Sequence, residues 1–453
     1  MSEAQRTERA GRPRPGEELD LSVERLAYGG AGVARVDGYV VFVRDGVPGD
    51  RVRARIRRAK RSYAEADSVE LLDPSPERVE PVAPHPGAPW QVLPYERQLA
   101  EKEAQVRDAL QRLGGFDSPP VEPMLSAERT LRYRNKVEYS FGTAADGELV
   151  LGFHRPGRFD LIDPVTSDVL ASERVDALRE AVAEWCRAEG LSAWDRTDGG
   201  GFLRNLVVRE GRRTGQLQAR LVTSEGEFGA DALAAALPDA SLLWTRTPAV
   251  AETTHGGSTE VVSGRAWIEE ELLGLRFRIS PDAFFQPNTE MAERLYGAAA
   301  ELAGLTGRER VLDLYCGIGT IALALALDAR EVFGLEIVER AVADAIENAR
   351  LNGVDNARFY AGDVRTAMRP LLERLGRPDV VVVDPPRAGL SQKVVRRVLE
   401  ARAERIVYVS CNPTTLAPNA RQLVDAGYRL EKLRPVDMFP QTPHIESVAL
   451  FRR

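Results

Sequence analysis

The chain has 453 residues, 43% of them hydrophobic and 28% charged, with a formal net charge of -7, which is the size of two or three domains with more than one core. That balance excludes a protein clothed in positive potential. No apolar stretch approaches the ~18 residues that a spanning helix needs, so no membrane partner is expected.

Residues 1–16 are polar and arginine-rich without an apolar signal core, which leaves the cytoplasm as the expected location. Short strands are predicted at 20–24, 38–43 and 68–72, separated by the turns Gly29-Gly30-Ala31-Gly32 and Pro48-Gly49-Asp50. Seven of the eleven residues at 51–61 are Arg or Lys. A charge run is most often a solvated face, but on a small all-β barrel a basic strand also suits a nucleic-acid backbone. Asp73-Pro74-Ser75-Pro76 and the prolines at 81, 84, 86 and 89 break regular structure and put a domain boundary near residue 73. A helix follows at 95–113, with Leu99, Val106, Leu110 and Leu113 among charges and Gly114-Gly115 as its stop. Strand-like runs at 136–141, 203–209 and 217–222, with an Ala-rich helix at 175–188, describe an α+β middle domain.

From residue 310 short apolar runs at 311–314, 331–335, 358–360, 380–383 and 406–409 alternate with helical patterns, the sign of a parallel sheet covered on both faces. In the helix predicted at 338–352, Val342, Ile346 and Ala349 share one face and Gly353 supplies the stop. Runs at 428–433 and 447–451 complete the sheet as a terminal pair. The expected domains are a β-barrel at 14–73, the α+β domain at 74–279 and an α/β domain at 280–453. The helix at 95–113 is free to pack on the last of these.

The first strand of the α/β domain runs into Asp313-Leu314-Tyr315-Cys316-Gly317-Ile318-Gly319-Thr320, where two glycines let a ligand approach the backbone at the carboxyl end of a strand. With Glu336 at the next strand end, this also fits a dinucleotide fingerprint, so NAD is one reading. Asp313 argues for the other: a carboxylate there attracts a sulfonium and repels a pyrophosphate, which favours S-adenosylmethionine. Gly362-Asp363 and Asp384-Pro385-Pro386-Arg387 stand at further strand ends on the same rim, and the two prolines fix the direction of Asp384. Cys411 follows the last parallel run, the position of a nucleophile for covalent catalysis. Three cysteines in all, Cys186, Cys316 and Cys411, are odd in number and lack zinc-type spacing, so no metal is expected. Cys186 and Cys316 read as packing residues. Asn412 and nearby backbone donors are the groups available to lower the thiol pKa of Cys411.

These segments, with Ser410-Cys411-Asn412-Pro413-Thr414-Thr415-Leu416 and residues 437–448, resemble the RNA uracil-5-methyltransferase family. The likeness extends to Phe284-Phe285-Gln286-Pro287-Asn288 and Tyr133-Arg134-Asn135-Lys136-Val137-Glu138, and the N-terminal barrel resembles the OB-like TRAM module of some members. The resemblance implies a Rossmann-like class I methyltransferase domain whose S-adenosylmethionine is surrounded by Gln286, Tyr315, Thr320, Glu336, Asp363 and Asp384. It implies Cys411 as the thiol that adds to carbon 6 of uracil and Glu446 as the base, with Phe284 and Phe285 near a flipped base. Structured RNA is the implied partner, 23S ribosomal RNA before transfer RNA, for a monomeric enzyme. The cysteines that hold an iron-sulfur cluster in TRAM-bearing members are missing at 84–91 and at Ser167-Asp168, so no cluster is expected. An NAD-dependent oxidoreductase and an RNA-binding protein without catalysis are the readings from other classes.

Overall fold

The structure is a computed structural model that describes residues 12–248 and 253–453; most of the arginine-rich 1–16 segment lies outside the described residues. These described residues form two compact units, one drawn from 12–82 with 88–105 and 439–444, the other from 83–87, 106–248, 253–438 and 445–453.

In the first unit six strands form one sheet in the order Glu18–Ser22, Arg51–Ala59, Tyr63–Asp73, Tyr39–Arg44, Gly32–Val36, Arg25–Leu26. The alternation of Arg51–Ala59 explains its place, because Val52, Ala54 and Ile56 turn into a core with Leu21, Val41 and Val43 while the arginines turn outward. The outward charges are largely matched by carboxylates on adjacent strands. Arg53 pairs with Asp20 and Glu70, Arg55 with Glu18, and Arg57 with Glu65. The outward face of this basic strand is therefore mostly a lattice of ion pairs.

The second unit contains two seven-stranded sheets and a hairpin of Ile268–Leu272 with Leu275–Ile279. The middle one has seven strands in the order Ser258–Ser263, Ser241–Arg246, Leu217–Thr223, Leu203–Glu210, Lys136–Thr143, Leu149–Arg155, Arg158–Pro164. One face carries Val137, Tyr139, Leu206, Val208, Ala219 and Leu221, packed in one core with Val175, Leu178 and Val182 of the helix Glu173–Ala188. Ser172 caps that helix by accepting from the Val175 N–H, and Cys186 is buried with the core.

The other sheet runs Ala357–Ala361, Glu331–Glu336, Arg310–Leu314, Val380–Val383, Arg405–Ser410, Glu446–Arg452, Arg429–Val436. All pairings among its first five strands are parallel, while Glu446–Arg452 enters antiparallel to both of its neighbours. Val380–Val383 is buried throughout, as a strand with helices over both faces must be. In the helix Glu339–Leu351 the face turned inward is Val342, Ala345 and Ala349; Ile346, expected with them, is 54% exposed. A spacing of three and then four residues, rather than four and then three, selects Ala345 for the inner face.

Candidate active site

The loops at the carboxyl ends of the parallel strands gather Tyr315, Thr320, Glu336, Asp363, Asp384 and Cys411 on one rim, whereas Gln286 lies ahead of the helix Thr289–Ala303 and Glu446 opens the antiparallel strand. Tyr315 follows Arg310–Leu314 and takes φ +66°, a region unfavourable for an aromatic side chain. Its N–H donates to Leu335 O at 2.9 Å, which ties the first strand end to the second. Glu336 ends that second strand, 9% exposed, and its carboxylate accepts from the N–H groups of Gly317 (3.1 Å) and Val338 (2.9 Å). Beside it Ile337 is 60% exposed, an apolar surface next to an acidic one. Gly317 has φ +54°, and a Cβ added there would meet no atom within 4 Å, so the space in front of the turn is open. Thr320 opens the helix Thr320–Ala326, and Asp363 caps Val364–Leu375 through the Arg365 N–H. The hydrogen bond from the Arg365 side chain lowers the Asp363 pKa to about 2. An acidic group for ribose hydroxyls, an apolar and aromatic surface for adenine and an open glycine turn fit S-adenosylmethionine.

Asp313 is fully buried beneath the turn, and burial, then the charge of Asp384, raises its pKa well above the ordinary value, which disfavours the charged form expected to attract a sulfonium. Asp384 is another carboxyl of this rim. Burial lifts its pKa to about 7, and its N–H donates to Leu314 O at 3.3 Å, which fixes the loop Asp384-Pro385-Pro386-Arg387 to the first strand end.

Cys411 and Glu446 meet through sheet register. The last registered pair between Arg405–Ser410 and Glu446–Arg452 is Ser410 with Ser447. Cys411 lies one residue beyond the first strand and Glu446 opens the second, so the register brings both to the same end of this antiparallel pair, and the Glu446 carboxyl acts on the Cys411 thiol. Glu446 is 3% exposed, and burial, then the charge of Asp384, raises its pKa well above the ordinary value, against the opposing pull of Arg387. Cys411 is half-buried, and burial, then Glu446 and Asp384, pushes its thiol up to about 11, again opposed by Arg387. Asn412, expected to ease ionisation of the thiol, is committed elsewhere. Its Oδ1 accepts from the Thr414 N–H at 3.0 Å and its Nδ2 donates to Arg387 O at 3.1 Å. The cation facing the thiol is Arg387. Cys316 is 5% exposed with burial raising its pKa far above normal, an inert packing residue.

The two aromatic neighbours separate. Phe285 is 5% exposed and packs on Phe277, ring centroids 6.4 Å apart, whereas Phe284 is 67% exposed. Gln286 is buried and its carbonyl accepts from Asn135 Nδ2 at 2.9 Å; the same Nδ2 donates to Thr289 Oγ1 at 2.9 Å. Asn135 thus clamps the loop that carries Phe284 and Gln286, a role its segment Tyr133-Arg134-Asn135-Lys136 did not reveal, because the partner lies far along the chain. Tyr296 was also missed. It sits 3% exposed on the helix Thr289–Ala303, facing Thr320, Asp384, Glu446 and Asp313, and burial followed by the Asp384 charge raises its pKa. Its helical apolar spacing made it look like core and nothing more.

A parallel sheet closed by one antiparallel strand, with a glycine turn after one strand and an acid ending the next, is the frame of an S-adenosylmethionine-dependent methyltransferase. Within that class the chain belongs to the RNA uracil-5-methyltransferase family. Residues 258–453 match the family described as tRNA (Uracil-5-)-methyltransferase, and residues 12–69 match the TRAM domain. An uncharacterized RNA methyltransferase of Chlorobaculum tepidum is 40% identical over 433 residues, 90% of either chain. Another from Gloeobacter violaceus is 41% identical over 449 residues, 97% of either chain. The solved structure of a Pyrococcus abyssi tRNA (uracil-54, C5)-methyltransferase in complex with S-adenosyl-L-homocysteine is 29% identical, covers 96% of this chain and 100% of its own, and superposes with a TM-score of 0.79. This membership displaces the oxidoreductase reading. Among the described residues no helix is long and apolar enough to cross a membrane, and no group of three or more His, Cys, Asp or Glu could hold a metal.

Proposed function

We propose that the enzyme forms 5-methyluridine in a folded RNA, 23S ribosomal RNA, through a covalent bond between Cys411 and carbon 6 of the target uracil, acting as a cytoplasmic monomer. The observation that carries this reading is that Cys411 and Glu446 come to the same end of one antiparallel strand pair, with Glu446 acting on the thiol. Bound S-adenosylmethionine supplies a sulfonium-activated methyl group. Gln286, Tyr315, Thr320, Glu336, Asp363 and Asp384 are the residues proposed to hold it, with Glu336 on the ribose and Asp384 between cofactor and base.

Carbon 5 of uracil is a poor nucleophile. Addition of the Cys411 thiolate to carbon 6 pushes the ring electron pair towards carbon 5, where the new carbon–methyl bond forms. Glu446 then takes the proton from carbon 5, the pair left behind restores the double bond, and the carbon–sulfur bond breaks to release the thiolate. A carboxylate with a raised proton affinity is the stronger base for that step. Arg387 opposes the burial that keeps the Cys411 thiol protonated. Both faces of the uracil must be reached, so the base leaves its stack, next to the loop that carries exposed Phe284.

Transfer RNA is a second reading with a specific observation behind it. The Pyrococcus abyssi tRNA (uracil-54, C5)-methyltransferase covers 96% of this chain, which takes in the TRAM region, so that module does not by itself mark a ribosomal substrate. The test is to incubate the enzyme and methyl-labelled cofactor with ribosomal and transfer RNA from cells lacking the gene, and to map 5-methyluridine. One new mark in 23S RNA is expected; marks confined to transfer RNA select the second reading. Cys411→Ala should abolish the product, and Glu446→Gln should leave a protein–RNA adduct on a denaturing gel. Methylation by Cys411→Ala at the wild-type rate overturns the covalent route.

A further inference from the structure

The second face of the middle sheet carries an arrangement that folding alone disfavours. Lys136 and Arg209 are directly opposed across the strands Lys136–Thr143 and Leu203–Glu210, and Arg220 lies on the same face of the next strand, opposite Val207. Like charges directly opposite destabilise a sheet. Here they are also withdrawn from water: Arg209 is 4% exposed and Arg220 2%. Carboxylates answer only part of this charge. Lys136 pairs with Glu138, and Arg220 with Asp282 at 2.6 Å. Arg209 is held instead by the carbonyls of Ala283 (2.6 Å) and Pro281 (3.4 Å), and its Nε is buried without a hydrogen-bond partner. Arg134 Nε is buried without one too. Among the described residues neither guanidinium has a carboxylate partner.

Arg134, Lys136 and Arg209 line a common cavity of about 450 Å³ with Phe284, against the two carboxylates Glu138, paired with Lys136, and Asp168, paired with His85. A volume of that order accommodates one nucleotide and is small for a folded peptide. Arg209 grips the segment that runs from Pro281 to Ala283 into Phe284 and Gln286, so the cavity adjoins the loop assigned to cofactor and target base. A buried guanidinium held by carbonyls and a half-buried one without a carboxylate partner, beside an exposed aromatic ring, make a site for a phosphate carrying a base.

We propose that this cavity binds one nucleotide of the substrate RNA strand beside the target uridine, its phosphate on Arg209, Arg134 and Lys136 and its base on Phe284. The inference rests on the RNA reading above and adds a subsite to it. The phosphate relieves the unbalanced charge, and its position fixes the strand relative to the loop that carries Gln286. Sequence reading would not find it, because the three strands bring together cations that are isolated along the chain.

The test uses the full chain with S-adenosylhomocysteine and fluorescein-labelled hexauridylate, with anisotropy measured across a series of salt concentrations. Arg134→Met and Arg209→Met should each weaken binding roughly five- to tenfold and lower the slope of log affinity against log salt by about 0.7, one phosphate contact on a single strand. Phe284→Ala should weaken binding roughly five- to tenfold with the slope unchanged, as loss of stacking does. Arg134 is less buried than Arg209, so Arg134→Met carries the test if Arg209→Met fails to fold, and unchanged S-adenosylhomocysteine affinity by calorimetry identifies a folded variant. A folded Arg134→Met protein with wild-type affinity and slope overturns the subsite, as does a wild-type protein that does not bind the probe. A wild-type enzyme that methylates RNA while these variants keep their slope sinks the subsite alone, whereas absence of methylation sinks the reading beneath it.

Discussion

The rim of the catalytic sheet and the second face of the middle sheet offend electrostatics in opposite senses. Asp313, Asp384 and Glu446 crowd the rim, where burial and mutual repulsion raise the proton affinity of Asp313 and Glu446, while Lys136, Arg209 and Arg220 crowd the middle sheet. The N-terminal sheet, which has the densest run of charge in the chain, obeys the rule instead and sets opposite signs side by side. A surplus of one sign in a buried place is unfavourable until a ligand of the other sign arrives. Counting charges along the chain would have ranked these three regions in the wrong order.

Substitutions can break or sharpen that contrast. The largest effect is expected at the acidic rim: Glu446→Gln should slow methylation by about 10²–10⁴-fold, the usual range for loss of a general base, without lowering the melting temperature. Multiple-turnover assays read the first quantity and calorimetry the second, and an unfolded variant would contradict the claim that this carboxyl serves chemistry at the expense of stability. On the basic face, Asp282→Asn leaves Arg220 buried without its carboxylate and should destabilise the protein by about 2–4 kcal/mol in denaturant titrations. A loss below about 0.5 kcal/mol would mean that solvent already screens that pair.

The rim also predicts a sign for pH. Asp384 has an ordinary pKa of 3.8 and a folded value of about 7, so between those values the folded state holds a proton that the unfolded chain has released. Its contribution to stability is therefore greatest at low pH and falls as pH rises through about 7. Asp384→Asn should remove part of that decline and raise stability at pH 8 by about 2–3 kcal/mol; an unchanged pH slope would show that the carboxyl is better solvated than its surroundings indicate. The smallest effect belongs to the N-terminal sheet, where Arg55→Gln loses an exposed pair with Glu18 and should move the melting temperature by less than about 2 °C.

The catalytic sheet was legible because each parallel strand is a short apolar run ended by a polar motif, a local signal. The hairpin of Ile268–Leu272 and Leu275–Ile279 was not, since its turn uses Leu273 at φ +53°, a position that a turn-seeking eye expects glycine or asparagine to fill. Ser258–Ser263 was missed as a polar, largely exposed edge strand with no alternation to read. At the site, the sequence could name Cys411, Glu446 and Asp384 but not their environments. It could not say that Asp313 is sealed beneath the turn, that Phe284 and Phe285 face different surroundings, or that Asn412 is spent as a cap. Burial and pairing belong to tertiary contacts, and no neighbour along the chain reports them.

The reversed strand Glu446–Arg452 has a practical corollary for anyone altering this protein. The proposed nucleophile and base are brought to one end of two neighbouring strands by their register, as teeth are aligned in a zipper, and a slip of one tooth turns every side chain of that strand to the other side. A library that adds or removes a single amino acid at the entry to this strand is therefore expected to yield folded but inert proteins more often than one that exchanges surface residues.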